Sequence, residues 1–582
     1  MKRFIKFYTY LKPFLKSIIL LFLLICANIL ITLPVPMLEK IIIDDAIPCK
    51  NVNLLFILIG LIAALYAVNQ TLSYLRNITS ITVREKVLCR VRIDLYHHLQ
   101  KMSMGFFSGQ QSGSLLSRML NDVRYIQNLV NDEFFVIVGS FIRVSVVVYL
   151  LLTISWKISL LCLTVLPVVL TVFLLLRKKI YIFTKRLQEA LARLSGKVQE
   201  NISSIKIIQA ETVEENKGRE TAVHCEDLAK LTIKQSRVAI IGNYIITLFT
   251  YVPLLIIIWG VGGSSVINET LSLGSLLAYI QYLFGVVGPV TNFLRFNMNL
   301  QAGYAALDRV YEILDRPPDI IDREDAVPLK PPVDSIRFTD VSLCFSDLEN
   351  TGKMVKALSN ISLTIKRGGK VGIVGPSGGG KTSLVHLLLR FYNPTGGHLS
   401  INNKDIESYT IKSIRKIIAY MPQEEFLFND TVRNNITLGR DISANEIERA
   451  LHIASADEFV YSLKDGLDTI IGERGVTLSG GQRQRIALCR VFLKQPEVFI
   501  FDEAFSALDS ESETLIFNSL PEIIGGRTAI IIAHRFSFLN LVSRILVFSN
   551  GICVEDGSFN ELTKKAGLFS KLYSIQRLEN SK

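Results

Sequence analysis

The chain has 582 residues, a formal net charge of +12 and 49% hydrophobic residues. That length is too great for a single hydrophobic core, so at least two domains are expected. The apolar excess falls almost entirely before residue 300, which excludes a wholly soluble protein and divides the chain into a membrane half and a soluble half.

The positive charge gathers in the amino-terminal segment (Lys2, Arg3, Lys6, Lys12, Lys16) and in the stretches between apolar segments. A positive-inside bias accounts for that placement. No base-stacking aromatics or recognition motif accompany it, so no nucleic-acid partner is expected. The eight cysteines are scattered without a C-x-x-C pair, which argues against a zinc site and against a disulfide framework.

In chain order, residues 1–13 are basic and aromatic, suited to a helix lying on the cytoplasmic leaflet. No signal-peptide cleavage pattern follows, so the first apolar segment is read as a retained span. Six spans are predicted, at about 17–38, 54–75, 134–154, 158–176, 238–259 and 271–290. Each is close to the ~20 apolar helical residues that a hydrocarbon core of about 30 Å demands. The two long polar stretches between them, 76–132 and 177–237, are rich in Lys and Arg and are expected to be helices continuing beyond the bilayer. Charge asymmetry puts both termini and both stretches in the cytoplasm, and the three short connections outside the cell membrane, the inner one where there are two.

Arg143 inside the third span is costly in lipid and is expected to face a cavity or water. With Asn243, Tyr244, Gln281, Tyr282, Asn292 and Arg295 it can be read as lining a path for amphipathic substrates with anionic groups. Inter-helix hydrogen bonds account for these residues equally well. Helical sequence ends near Asp315, where DRPPDIIDREDAVPLKPPVD supplies five prolines and mixed charge. The expected division is therefore a transmembrane domain over 1–316, a linker over 317–334 and a soluble domain over 335–582.

The soluble half carries VGIVGPSGGGKTS (Val371 to Ser383), an apolar strand, a glycine loop and a helix start in sequence. This is the order G-x-x-x-x-G-K-[ST] requires of a phosphate-binding loop. Gly375, Pro376, Ser377, Gly378, Gly379 and Gly380 let successive backbone N–H groups turn inward as an anion nest, reinforced by the helix N-terminus. Lys381 reaches toward the β- and γ-phosphates, the Thr382 hydroxyl is a Mg²⁺ ligand, and Ser383 is counted with them among the ATP-binding residues. Farther on, EVFIFDE (Glu497 to Glu503) is a buried strand ending in two carboxylates. Asp502 is placed to hold Mg²⁺, and Glu503, one residue on, to polarise an attacking water as general base. TLSGGQRQR (Thr477 to Arg485) makes a second N–H cradle from Ser479, Gly480, Gly481 and Gln482. One nucleotide does not need two cradles from one domain, so the second is read as serving a nucleotide held by another copy.

GPSGGGKTS, TLSGGQRQR, IFDEAFSALD and AHR (Ala533 to Arg535), in this order, resemble the nucleotide-binding domain of ATP-binding cassette (ABC) transporters. Six spans fused ahead of it resemble an exporter half-transporter of the multidrug and lipid-flippase type. The resemblance implies a six-span α-helical transmembrane domain followed by an α/β P-loop NTPase cassette with antiparallel β and α-helical subdomains. It implies ATP and Mg²⁺ as ligands, Gln423 as a Mg²⁺-sensing Q-loop residue, Asp509 in the D-loop and His534 as the switch histidine contacting the γ-phosphate. Ser479 and Gly481 would close on the ATP of the opposing subunit. Glu473 would belong to the X-loop, and short coupling helices near Arg118 to Tyr125 and Ala210 to Asn216 would dock on the cassettes. Two positions depart from the family pattern: Phe345 stands where an adenine-stacking tyrosine is usual, and Phe505 replaces the threonine of DEATSALD. A phenyl ring still stacks on a base, with weaker selection among bases.

The expectation is a homodimer, a heterodimer being the variant, that couples ATP hydrolysis to export or flipping of a lipid or hydrophobic compound. A peptide exporter and an ATP-gated channel or sensor are the other readings that the same scaffold allows. An importer is disfavoured by the fusion of the two halves.

Overall fold

The computed structural model describes residues 2–110, 112–130, 133–346, 354–472, 475–505, 510–533 and 535–579. Two compact units divide the chain: Met1–Tyr96 with Ser117–Ile313, and His97–Leu116 with Leu314–Lys582.

The first unit is helical. Its opening apolar run forms the helix Leu15–Thr32, breaks at Leu33 and Pro34, and resumes as Val35–Ile41 and a π-turn over Ile42–Ala46. Proline lacks the N–H that a continuous helix needs, which explains the break. The helix Val52–Gln100 has 49 residues, about 74 Å at 1.5 Å per residue, well beyond a hydrocarbon core of about 30 Å. Glu214–Ile257 and Leu273–Leu314, of 44 and 42 residues, are likewise too long to end at a membrane surface. Among the described residues, Ile5–Ala46, Val52–Gln100 and Glu214–Ile267 are long and apolar enough to cross a membrane, and shorter apolar helices lie at Gly139–Ile154 and Leu273–Gly285.

Polar contacts fix these helices where hydrophobic packing is undirected. Helix Val165–Ser203 runs beside Glu214–Ile257, joined through the short helix Ile205–Ala210, with Lys197 paired to Glu220 at 3.1 Å. Asp122, 7% exposed, accepts both arms of the Arg309 guanidinium at 2.7 and 2.9 Å. At the opposite end of the unit, Asp44 accepts the Gly274 N–H at 2.8 Å and the Ser272 hydroxyl, so it caps the helix Leu273–Leu314. Gln281 donates to Glu39 about two turns farther along the helix.

The second unit contains two sheets. Its strands are β1 (Ser335–Ser346), β2 (Met354–Lys366), β3 (Lys370–Val374), β4 (Gly396–Ile401), β5 (Lys404–Asp405), β6 (Ile418–Met421), β7 (Val498–Asp502), β8 (Thr528–Ile532), β9 (Arg544–Ser549) and β10 (Ile552–Gly557). An antiparallel sheet has the order β2-β1-β4-β5, and a second sheet the order β10-β9-β3-β8-β7-β6. Within the latter, β9, β3, β8, β7 and β6 are parallel and β10 adds an antiparallel edge. Strands β7 and β8 are buried at every residue, the continuous apolar pattern of a sheet covered on both faces.

The segment His97–Leu116 belongs to this unit, and within it the short helix Met104–Ser108 packs with the soluble domain. Ser103 caps it and donates to Asp319, and Phe106 is buried beneath the Arg316 guanidinium at 5.2 Å. Arg118–Asp122 is a π-turn leading into Val123–Val130, whose Val123 and Ile126 are buried.

Candidate active site

Strand β3 ends at Val374, and the chain turns through the glycine loop into the helix Lys381–Leu388. Two glycines are required by the backbone. Gly375 has φ +149, and a Cβ there would sit 2.0 Å from the Phe548 carbonyl oxygen. Gly380 caps the helix at φ +97, where a Cβ would come within 2.6 Å of the Ala357 carbonyl oxygen. Pro376, Ser377 and Gly378 form an exposed rim, and Gly379 is buried beneath them. Ser383 is half-buried in the first helical turn.

Lys381 is 6% exposed, and its Nζ donates to the carbonyls of Gly375 and Pro376 at 2.9 and 3.0 Å. Burial pushes its ammonium below the ordinary lysine value, opposed by the Glu503 and Asp502 carboxylates. An ammonium held in that setting is poised for phosphate, because an anion restores what burial removed.

The end of β7 brings the carboxylates to this loop. Asp502 is fully buried; the Thr382 hydroxyl lies 3.3 Å from its Oδ1 and the Tyr420 hydroxyl 3.3 Å from its Oδ2. Burial raises the Asp502 pKa, the Glu503 charge adds to this, and the Thr382 and Tyr420 hydroxyls with Lys381 work against it. Thr382 Oγ1 and Asp502 Oδ1 are two hard oxygen donors side by side, one of them a buried carboxylate short of positive charge. That donor set fits a Mg²⁺ ion. Glu503 leaves the strand at φ +53, its N–H donating to Ile532 at 3.1 Å. The change of direction carries its carboxylate out to Gln423, whose Nε2 donates to Glu503 Oε2 at 2.6 Å. Lys381, Thr382, Gln423, Asp502 and Glu503, drawn from three separate sequence motifs, thus converge on one locus.

Other predicted residues lie elsewhere or lie outside the described residues. Ser479 caps the helix Gly480–Phe492 in a reciprocal box: its Oγ accepts the Gln482 N–H at 3.2 Å, and Gln482 Oε1 accepts the Ser479 N–H at 2.9 Å. Gly480 and Gly481, both half-buried, form the first turn of that helix. Phe345, half-buried on β1, meets Tyr392 edge to face with ring centroids 4.9 Å apart. Glu473, Asp509 and His534 lie outside the described residues.

Sequence reasoning missed two features. Tyr420 reaches Asp502 because β6 pairs with β7, a neighbour relation no local pattern discloses. Phe505, 5% exposed, stacks on Phe538 at 4.2 Å and 12° and touches Phe501 at 5.4 Å, so the departure from threonine extends an aromatic core.

In the first unit a cavity of about 200 Å³ is lined by Thr32, Tyr66, Asn69, Arg143, Gln281 and Tyr282, among others. The Asn69 Oδ1 atom is buried without a hydrogen-bond partner among the described residues. Tyr282 donates to the Leu33 carbonyl at 2.6 Å, an inter-helix bond. Asn243 and Tyr244 are exposed and do not line this cavity, and the Asn292 and Arg295 side chains lie outside those described.

Residues 18–290 match the family model of the ABC transporter transmembrane region, and residues 358–506 that of the ABC transporter. An ATP-dependent lipid A-core flippase of Desulfotalea psychrophila is 34% identical over 93% of each chain. A putative multidrug export ATP-binding/permease protein, YgaD, of Bacillus subtilis is 32% identical over 99% of each. The solved structure of a bacterial Atm1-family ABC exporter with ATP bound superposes with a TM-score of 0.79 at 25% identity, over 97% of this chain and 98% of that one.

Proposed function

This chain belongs to the ABC transporter family, an integral membrane ATPase of the exporter kind, and we propose that two copies of it work as a dimer to export or flip a lipid or similar amphipathic compound. The observation that carries the reading is the convergence of Lys381, Thr382, Asp502, Glu503 and Gln423 in one site while the Ser479 cradle is built on a different helix. On this reading the Ser479, Gly480, Gly481 and Gln482 cradle of one copy completes the phosphate loop of the other.

Each residue then has a task. The loop N–H groups and Lys381 bind the phosphates, and Phe345 stacks on the base. Thr382 and Asp502, with Gln423 nearby, would hold Mg²⁺, which when bound would supply charge neutralisation on the β- and γ-phosphates. Glu503, oriented by Gln423, accepts a proton from the attacking water. Asp509 and His534 complete the interface and the γ-phosphate contact. ATP favours the closed pair of cassettes because only that state offers both halves of the site, and a ligand shifts an equilibrium only through such differential affinity. Hydrolysis removes the preference and resets the membrane cavity, giving alternating access. Both termini and the ATPase domain lie on the cytoplasmic side of the cell membrane.

Arg143 supports an amphipathic cargo with an anionic group. A cation in a wall of mixed apolar and polar side chains, beside an Asn69 oxygen with no hydrogen-bond partner among the described residues, suits a molecule that is part hydrocarbon and part charge. The relatives named for lipid A-core flipping and multidrug export agree with cargo of that class. The test is ATPase activity of the reconstituted protein, screened across lipids, hydrophobic drugs and peptides, together with directional flux in vesicles. Stimulation by a lipid or amphiphile that Arg143→Ala abolishes is expected. Stimulation by peptides alone, or ATP-dependent leak without direction, overturns the reading in favour of a peptide exporter or a gated channel.

A further inference from the structure

We propose that Tyr420 is a positioning residue for the metal-facing carboxylate, fixing which oxygen of Asp502 is presented to the cation. The proposal rests on the reading of Asp502 and Thr382 as the Mg²⁺ pair and adds to it a residue from a neighbouring strand.

The strand register puts Tyr420 there. In the parallel pair β6–β7, Tyr420 is the partner of Ile500, and Asp502 lies two residues beyond Ile500 on the same face. That diagonal is within reach of a long aromatic side chain. The two oxygens of Asp502 are consequently divided: Oδ2 faces the Tyr420 hydroxyl at 3.3 Å and Oδ1 faces the Thr382 hydroxyl at 3.3 Å. A phenol beside a carboxylate acts as the donor, so Tyr420 occupies Oδ2 and leaves Oδ1 on the side of Thr382 and Lys381.

The tyrosine is itself held. Its ring meets His386 edge to face at 6.3 Å and 81°, and Phe391 at 6.4 Å and 74°. Phe391 lies under the Arg415 guanidinium at 5.1 Å, and that guanidinium donates to the Leu389 and Arg390 carbonyls at 3.0 and 2.9 Å. His386 continues the series to Tyr392, and Tyr392 to Phe345, the base-stacking candidate. The hydroxyl therefore projects from a bracketed ring, and a carboxylate anchored by it cannot swing about its last torsion without losing a part-buried hydrogen bond. Loss of such an outer-shell partner typically costs about 10- to 100-fold in metal affinity.

The experiment uses the full-length protein with a non-hydrolysable ATP analogue and Mn²⁺ as the probe, bound metal being read by electron paramagnetic resonance. Nucleotide binding in EDTA is measured alongside. Tyr420→Phe is expected to raise the Mn²⁺ concentration for half-saturation about 10-fold and to leave metal-free nucleotide binding unchanged. Asp502→Asn is expected to raise it further, and adding Tyr420→Phe to Asp502→Asn to have no additional effect, since the tyrosine acts through the carboxylate. A normal Mn²⁺ response in Tyr420→Phe with a weakened one in Asp502→Asn overturns the role of Tyr420 alone. A normal response in both overturns the reading of Asp502 as well. Additive losses in the double variant overturn the proposal by showing that the two act independently. If Tyr420→Phe loses metal-free binding, the comparison moves to Tyr420→Gln, which keeps a donor, against Tyr420→Leu, which does not; equal Mn²⁺ affinities in that pair overturn the proposal.

Discussion

Glu503 occupies a left-handed backbone position at φ +53, a conformation that a non-glycine residue adopts at some cost. The turn separates it from Asp502, which stays in the buried strand, so two adjacent carboxylates take different surroundings and different work. Glu503→Gln is expected to lower ATP turnover by about 10²-fold or more while ATP still binds; phosphate release and nucleotide binding, measured on one preparation, check both halves. Phe505 has a structural task. Its stack on Phe538 is buried, so Phe505→Ala is expected to destabilise the domain by about 3–5 kcal/mol, seen as a lower denaturation midpoint of the purified protein. The residues of the phosphate loop and of the SGGQ cradle are legible in the sequence because glycine, lysine and hydroxyl groups at fixed spacing have few other uses. Tyr420 and Phe505 are not, because their meaning comes from a neighbouring strand and from a ring some thirty residues away.

Elements were legible where periodicity and length agree. Long apolar runs flanked by basic helical sequence become helices that outrun any bilayer, as in Val52–Gln100. Short helices were less legible: Met104–Ser108 has too few residues for a periodic signal, and its serine cap and buried Phe106 identify it only once folded. The phosphate-loop helix Lys381–Leu388 carries a further consequence. His386, half-buried on that helix among Tyr392, Phe391 and Tyr420, has its pKa lowered by burial and is held neutral in the fold. In the unfolded chain it protonates near pH 6.5. Below that pH the unfolded state takes up the proton more readily than the folded one, so stability falls as pH falls from about 6.5 toward the folded pKa. Denaturation midpoints at pH 7.5 and 5.5 are expected to differ more in the wild type than in His386→Phe, which keeps a ring and loses the titration.

At the scale of the molecule, the proposed pairing sets the Ser479 cradle of one copy against the phosphate loop of the other. With the native cysteines replaced, Ser377→Cys in one copy and Ser479→Cys in another are expected to cross-link, and to do so faster with ATP in a Glu503→Gln background. Products that form only within a single chain would refute the pairing. The fused membrane and soluble halves were plain from hydropathy, whereas the grouping of His97–Leu116 with the soluble domain was not, since polar helical sequence looks alike on either side of such a boundary. Finally, Asp44 fastens the end of the segment Ile5–Ala46 to the start of the helix Leu273–Leu314, with Glu39 and Gln281 as a second clasp. Under the proposed alternating access, a mouth that must gape to discharge its load cannot do so at that hinge while both clasps hold. Asp44→Cys with Ser272→Cys, once oxidised, is expected to leave nucleotide binding intact and to stop vesicle flux, and a reducing agent to start it again.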